Sequence, residues 1–199
     1  MPTLIAIDAV LLPPPEVARM AIALSRAMPA NESQGLVLDD EHVPHVTLAQ
    51  LFVTASRLDA ALDRVGAVAR GVEPLRISVS GGARGSSSVW MSIERSRAIS
   101  LLHQRVMAVL EPFATLGGNA AAFYGGDARP EDVAWVAGFR TSASFDRYSP
   151  HITLGHASAP PSISPFEFEA ATLAVCHLGR FCTCRTTLGT WELNRSRSG

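Results

Sequence analysis

Two short stretches carry the residue types most able to do chemistry: Pro44-His45-Val46-Thr47-Leu48 and Pro150-His151-Ile152-Thr153-Leu154. Each reads His-x-Thr-apolar, each follows a proline, and each has a β-branched residue between the two polar ones. Successive side chains of a β-strand point to opposite faces. His45 and Thr47 therefore share one face while Val46 takes the other, and His151, Ile152 and Thr153 repeat the arrangement. The proline suits a strand entrance, because it has no N–H to give to a ladder. Such a strand has a core face and a working face, and two of them predict two half-sites meeting across one cleft. An imidazole titrates near ~6.5, so one histidine of a facing pair can accept a proton while the other supplies one. The plain alternative is two strand histidines that hydrogen-bond neighbouring threonines at a sheet surface.

The elements that must position these residues follow from the rest of the chain. At 199 residues it fits one large domain, or two small lobes sharing a core. Hydrophobic content of 47% and charged content of 18% describe a globular protein rather than a disordered one. A net charge of −1 excludes the broad basic field that grips long duplex nucleic acid, so a nucleic-acid partner must be small or held locally at an end. All 17 basic residues are arginine, which codon bias explains as well as phosphate recognition does. Cys176, Cys182 and Cys184 form an odd set without framework spacing, which argues for reduced thiols and a reducing compartment. Cys182-x-Cys184 is expected to place both thiols on one strand face. No charged leader or long apolar run is present, so the chain reads as soluble and cytoplasmic, without a membrane partner.

Residues 4–12 form an apolar run containing Asp8 and closed by three prolines, which predicts a buried strand. A helix is expected over 15–28, a loop over 29–41, and the first motif strand over 45–53. Ser56 is expected to cap a helix running to Val68. Strands are expected over 75–80 and 89–93, separated by a Gly/Ser loop carrying Arg84. Ile99, Leu102, Val106 and Leu110 define a helix over 96–110, with His103 read as a surface or core-edge histidine. A short helix opens at Pro130, the second motif follows Arg147-Tyr148-Ser149, and residues 166–178 and 181–193 read as a hairpin around Gly179. Residues 196–199 are expected to be a disordered tail.

The paired motif and its partners resemble the two-histidine (2H) phosphoesterase superfamily, which includes the 2′-5′ RNA ligase-like proteins and bacterial RNA 2′,3′-cyclic phosphodiesterases. The resemblance runs from the first strand to the last and implies one α+β domain over 1–195. It implies two pseudo-symmetric lobes, with antiparallel-rich sheets lining a central groove and helices outside. His45, Thr47, His151 and Thr153 match the family's catalytic positions. A metal-independent hydrolase that opens 2′,3′-cyclic phosphates at RNA 3′ ends or on nucleotides, leaving 2′-phosphates, is the implied activity. His151 would serve as base, His45 as acid, and the threonine hydroxyls as donors to the charged phosphoryl oxygens. No cofactor is required. The glycine-containing turn and aromatic strand residue seen in family members are matched by Trp90, but the turn's own aromatic residue is missing here.

Tyr148 and Arg147 are candidate substrate contacts. So is His156, which stands five residues after His151 where many family members carry arginine; in a regular strand it would face away from His151. Beside the hydrolase, 2′-5′ RNA ligase or 2′-5′ phosphodiesterase activity stays open within the same mechanism, and two other classes of reading stay open on the sequence. One is a non-catalytic nucleotide- or RNA-binding module of the same fold. The other is a metal site built on His42 and His45 beside Asp39, Asp40 and Glu41, although Pro44 forbids a regular helical ligand turn there.

Overall fold

The computed structural model describes residues 2–194. In chain order the main elements are β1 (Leu4–Leu12), α1 (Pro15–Arg26), β2 (Val46–Thr54), α2 (Leu58–Ala69), β3 (Leu75–Arg84), β4 (Ser88–Ile93), α3 (Arg97–Leu110), α4 (Pro130–Ser142), β5 (His151–His156), β6 (Phe166–Ala170), β7 (Thr172–Leu178) and β8 (Cys184–Glu192). The strands form two four-stranded antiparallel sheets, ordered β2-β1-β7-β8 and β5-β4-β3-β6. The architecture is α+β, and each motif strand lies at the edge of its own sheet.

Local sequence accounts for the elements that carry the site. β1 is buried along most of its length because both faces are covered, and Pro13-Pro14-Pro15 ends it while starting α1 with proline in the first turn. Ser96 caps α3 by accepting from the Ile99 N–H, and Ile99, Leu102, Val106 and Leu110 form its buried stripe. The helices bind the two sheets together by crossing over. α1, which follows a strand of the first sheet, packs on β5 of the second, and α3 and α4 pack on β2 of the first. One apolar core therefore runs through both halves, from Ile7 and Leu48 to Met91 and Ile152.

Several boundaries differ from expectation. Residues 55–57 form a 3-10 turn, Ser56 turns toward the Thr54 hydroxyl, and no side chain caps α2. β3 continues to Arg84 through what reads as a loop, because Gly81, at φ +146°, absorbs a register shift beside β4. Residues 166–178 are two strands rather than one: β6 pairs with β3 in the second sheet, and the chain then crosses to pair β7 with β1 in the first. The hairpin is β7–β8 alone. Its 3-10 turn at Arg180–Cys182 holds Phe181 and Cys182 at positive φ, so Cys182 does not share a strand face with Cys184. Nor are the thiols all free: Cys176 and Cys184 form a disulfide between adjacent strands, with Cα atoms 5.4 Å apart, while Cys182 is reduced. Spacing hid this pair because β-pairing, not sequence separation, brings the two residues together. No helix among the described residues is long and apolar enough to cross a membrane, and the expected tail at 196–199 lies outside the described residues.

Candidate active site

β2 and β5 meet across a groove of about 490 Å3, lined by His45, Thr47, His151 and Thr153 among others. The valine and isoleucine between each polar pair, Val46 and Ile152, are buried on the opposite face. Directly after each threonine the strand bulges. In β2, Val10 pairs with Thr47 and Ala9 with Ala49, which leaves Leu48 unpaired. In β5, Trp90 pairs with Thr153 and Val89 with Gly155, which leaves Leu154 unpaired. A bulge shifts the side-chain alternation by one residue. Gln50 and His156, which alternation alone would turn away, therefore face the same groove as the motif residues. Gly155 makes the second bulge possible: its φ is +150°, and a Cβ there would stand 3.2 Å from Met28 Sδ.

Both motif histidines are fixed by backbone. His45 Nδ1 lies 2.7 Å from the Val43 carbonyl and His151 Nδ1 2.8 Å from the Ser149 carbonyl. Each carbonyl accepts a hydrogen bond from Nδ1–H, so each Nε2 is left for the groove. Burial pushes both imidazoles below their ordinary range, and the charge of His151 lowers His45 further. The surroundings then diverge. The His151 ring stands 5.3 Å from that of Trp90. His45 Nε2 instead lies 3.6 Å from Oδ2 of Asp8, a carboxyl with no solvent exposure. Thr47 Oγ1 and Gln50 Nε2 both donate to that same oxygen, at 2.8 and 2.7 Å. Oδ1 of Asp8 has no hydrogen-bond partner among the described residues. Burial raises the Asp8 carboxyl to about 8 despite the two donors.

The remaining candidates separate by what they touch. The Tyr148 hydroxyl donates to the Thr47 carbonyl at 3.0 Å, and its ring stacks on His103 at 4.0 Å. Tyr148 is buried and ties the approach to β5 onto β2. His103 is a core residue, with Nδ1 on the Leu48 carbonyl and Nε2 accepting the Phe145 N–H. Arg147 sits at the rim with its guanidinium on the Thr141 carbonyl at 2.6 Å. His156 lies inside the groove, with Nδ1 3.2 Å from Ser87 Oγ and its ring 5.5 Å from that of Phe181. Burial and the nearby Arg129 charge lower its imidazole. His42 does not join His45: it is engaged by Asp39 and Arg185.

Asp8, Gln50, Arg129 and Phe181 were not picked out by sequence reasoning. Asp8 carried a usable signal, a lone acid in an all-apolar strand, since a buried charge needs partners. Arg129 pairs with buried Asp132 at 2.6 Å and lies 4.1 Å over the Phe181 ring. Asp132 also accepts the Phe181 N–H at 3.0 Å, holding the left-handed turn against α4. Nothing local in the sequence brings residues 129 and 181 together.

Two antiparallel sheets that present paired His-x-Thr strands to one groove define a two-histidine phosphoesterase architecture. Residues 13–182 match the 2′-5′ RNA ligase superfamily, and the chain belongs to that family. Its fold is similar to that of E. coli LigT in apo form, at a TM-score of 0.62 and 19% identity, over 96% of this chain and 99% of that one. It is likewise similar to a protein described as a phosphoesterase, at 0.61 and 21%, over 96% and 99%. The third is E. coli LigT complexed with 3′-AMP, at 0.62 and 17%, over 96% and 99%. No curated protein matches the sequence.

Proposed function

We propose that the protein is a phosphodiesterase that opens 2′,3′-cyclic phosphates on RNA ends or nucleotides to 2′-phosphates. The observation that carries this reading is the pair of imidazoles on opposing edge strands, each with Nδ1 on a backbone carbonyl and Nε2 toward one groove. His151 Nε2 takes a proton from water, whose oxygen attacks phosphorus. The bond from phosphorus to the ribose 3′ oxygen breaks, and His45 Nε2 protonates that oxygen. The water proton now on His151 and the vacancy on His45 are reset by exchange with solvent. The groove suits a nucleotide-sized ligand, with Trp90, Trp135 and Phe181 supplying aromatic surface. A relative of the same fold, E. coli LigT, has been crystallised with 3′-AMP and with NADP+.

The test is turnover of a 2′,3′-cyclic nucleotide and of a short RNA with a 2′,3′-cyclic end, with EDTA present. EDTA-resistant release of a 2′-phosphate is expected, falling about 10²–10⁴-fold in His45→Ala and in His151→Ala. Activity that survives both substitutions, or no turnover of either substrate, would overturn the reading.

A further inference from the structure

Asp8 is the strongest unexplained group in the molecule: a carboxyl excluded from water, beside one catalytic imidazole and not the other. Its two oxygens are treated differently. Oδ2 receives the donors of Thr47 and Gln50, an arrangement suited to a carboxylate, while Oδ1 has no partner among the described residues. A buried carboxylate oxygen without a donor favours the protonated form. Two states of the pair follow, one with the proton on Asp8 and one with the carboxylate facing an imidazolium 3.6 Å away, and the burial of both groups favours the first in the empty groove.

We propose that Asp8 and His45 hold one proton between them, which rests on the Asp8 carboxyl in the empty groove and moves to His45 Nε2 when a phosphate anion enters. The bond broken is O–H on Asp8 and the bond formed is N–H on His45, the 3.6 Å between Oδ2 and Nε2 closing to hydrogen-bond distance as the proton crosses, with no net proton exchanged with solvent. This deepens the proposed function and rests on it for the role of His45 as acid: the shared proton loads that acid at a pH where a buried imidazole alone would be empty. Asp8 is a positioning residue, since it touches His45 and Thr47 rather than substrate.

The groups facing the pair are few. β2 and the residue before it contribute His45, Thr47 and Gln50, and β7 places Cys176 opposite Asp8, where its disulfide removes it from titration. His151, Tyr148 and Cys182 also line the groove, and burial raises the latter two. Asp132 is held by Arg129. Asp8 is thus the one carboxyl among these that is not paired with a cation and that titrates near neutrality, at about 8.

Infrared difference spectra of wild type against Asp8→Asn isolate the carboxylic acid band of residue 8, and imidazole NMR follows His45. At neutral pH the band is expected in the empty protein, and saturating inorganic phosphate is expected to remove it while the His45 ring becomes protonated. Absence of the band, or its persistence at saturating phosphate, overturns the proposal. Neither readout depends on turnover, so the pair can fail while the phosphodiesterase reading stands, and the reverse. With a 2′,3′-cyclic nucleotide, the alkaline limb of kcat/KM, which reports the free enzyme, is expected to move to lower pH in Asp8→Asn. An unchanged limb also overturns it. Should Asp8→Asn fail to fold, ¹³C-labelled aspartate in the wild type assigns the same band.

Discussion

Gln50 and His156 occupy matching places in the two halves of the groove. Each is the fifth residue after its motif histidine, and each is turned inward by a bulge at a buried leucine, Leu48 or Leu154. The match extends to their strand partners, since Gln50 stands opposite Asp8 and His156 opposite Ser88. A carboxyl and an amide on one side thus face a hydroxyl and an imidazole on the other. The two motif histidines are near copies in their own geometry and differ in what stands behind them.

His156 is neutral near pH 7, because burial and Arg129 both disfavour its charged form. Its attraction for a phosphate should therefore appear only as the pH falls through its lowered titration. His156→Gln is expected to leave KM for a cyclic nucleotide within about threefold at neutral pH, the scale of one neutral hydrogen bond, and to abolish the fall in KM toward about pH 5. His156→Arg restores a permanent charge and is expected to lower KM by up to about tenfold at neutral pH, reducing its pH dependence. Steady-state kinetics across that range check both.

The two threonines are not equivalent. Thr153 Oγ makes no hydrogen bond among the described residues and is free to donate to a phosphoryl oxygen, whereas the Thr47 hydroxyl is given to Asp8. Thr153→Val is expected to reduce kcat by about 10–10²-fold, as for loss of one transition-state donor with a neutral partner. Thr47→Val removes a donor that favours the Asp8 carboxylate, so the Asp8 titration should move up from about 8. The measurement is kcat/KM against pH for each variant, and a Thr47→Val profile shifted downward would contradict the assignment.

The disulfide lies close behind His45. Cys184, bonded to Cys176, accepts the Val43 N–H at 3.0 Å through its carbonyl, and the Val43 carbonyl in turn receives His45 Nδ1. Reduction is expected to lower stability by about 2–3 kcal/mol, the chain-entropy value for a short loop. It should also lower kcat, because the loosened segment carries the backbone anchor of the His45 imidazole, and raise KM, because Val43 and Thr183 line the groove. Urea unfolding and kinetics with and without dithiothreitol, repeated on Cys184→Ser, check this.

Much of this site is legible in the sequence because its signals are local. Alternation places His and Thr on one face within three residues, and prolines mark both strand entrances; these need no tertiary information. The parts that were not legible depend on pairing across the fold. Strict alternation turns His156 away from the groove, and only the bulge at Leu154, permitted by Gly155 packing against α1, brings it back. The apolar run 166–178 reads as one strand because hydrophobicity does not say which sheet a segment joins. Its division between β6 and β7 is set by partners on β3 and β1. Asp8 was visible as an acid in an apolar run, but its meaning required the partners that β2 supplies.

The buried carboxyl also leaves a mark on folding stability, with a sign that can be worked out. Asp8 titrates near 3.8 when unfolded and at about 8 when folded. Between those values the folded chain keeps a proton that the unfolded chain has lost, so stability falls as pH rises, by up to about 1.4 kcal/mol per pH unit. Above the folded value both states are ionised and the loss levels off. His45, His103, His151 and His156 act in the opposite direction, because their lowered folded titrations make stability rise with pH up to about 6.5 and no further. The window from about pH 6.5 to about 8 therefore isolates Asp8. Wild type is expected to lose stability across it in urea titrations, whereas Asp8→Asn should show no such slope. The advantage of the variant should grow through the window and become constant above it. Parallel wild-type and variant curves across the window would show that Asp8 is already ionised at neutral pH.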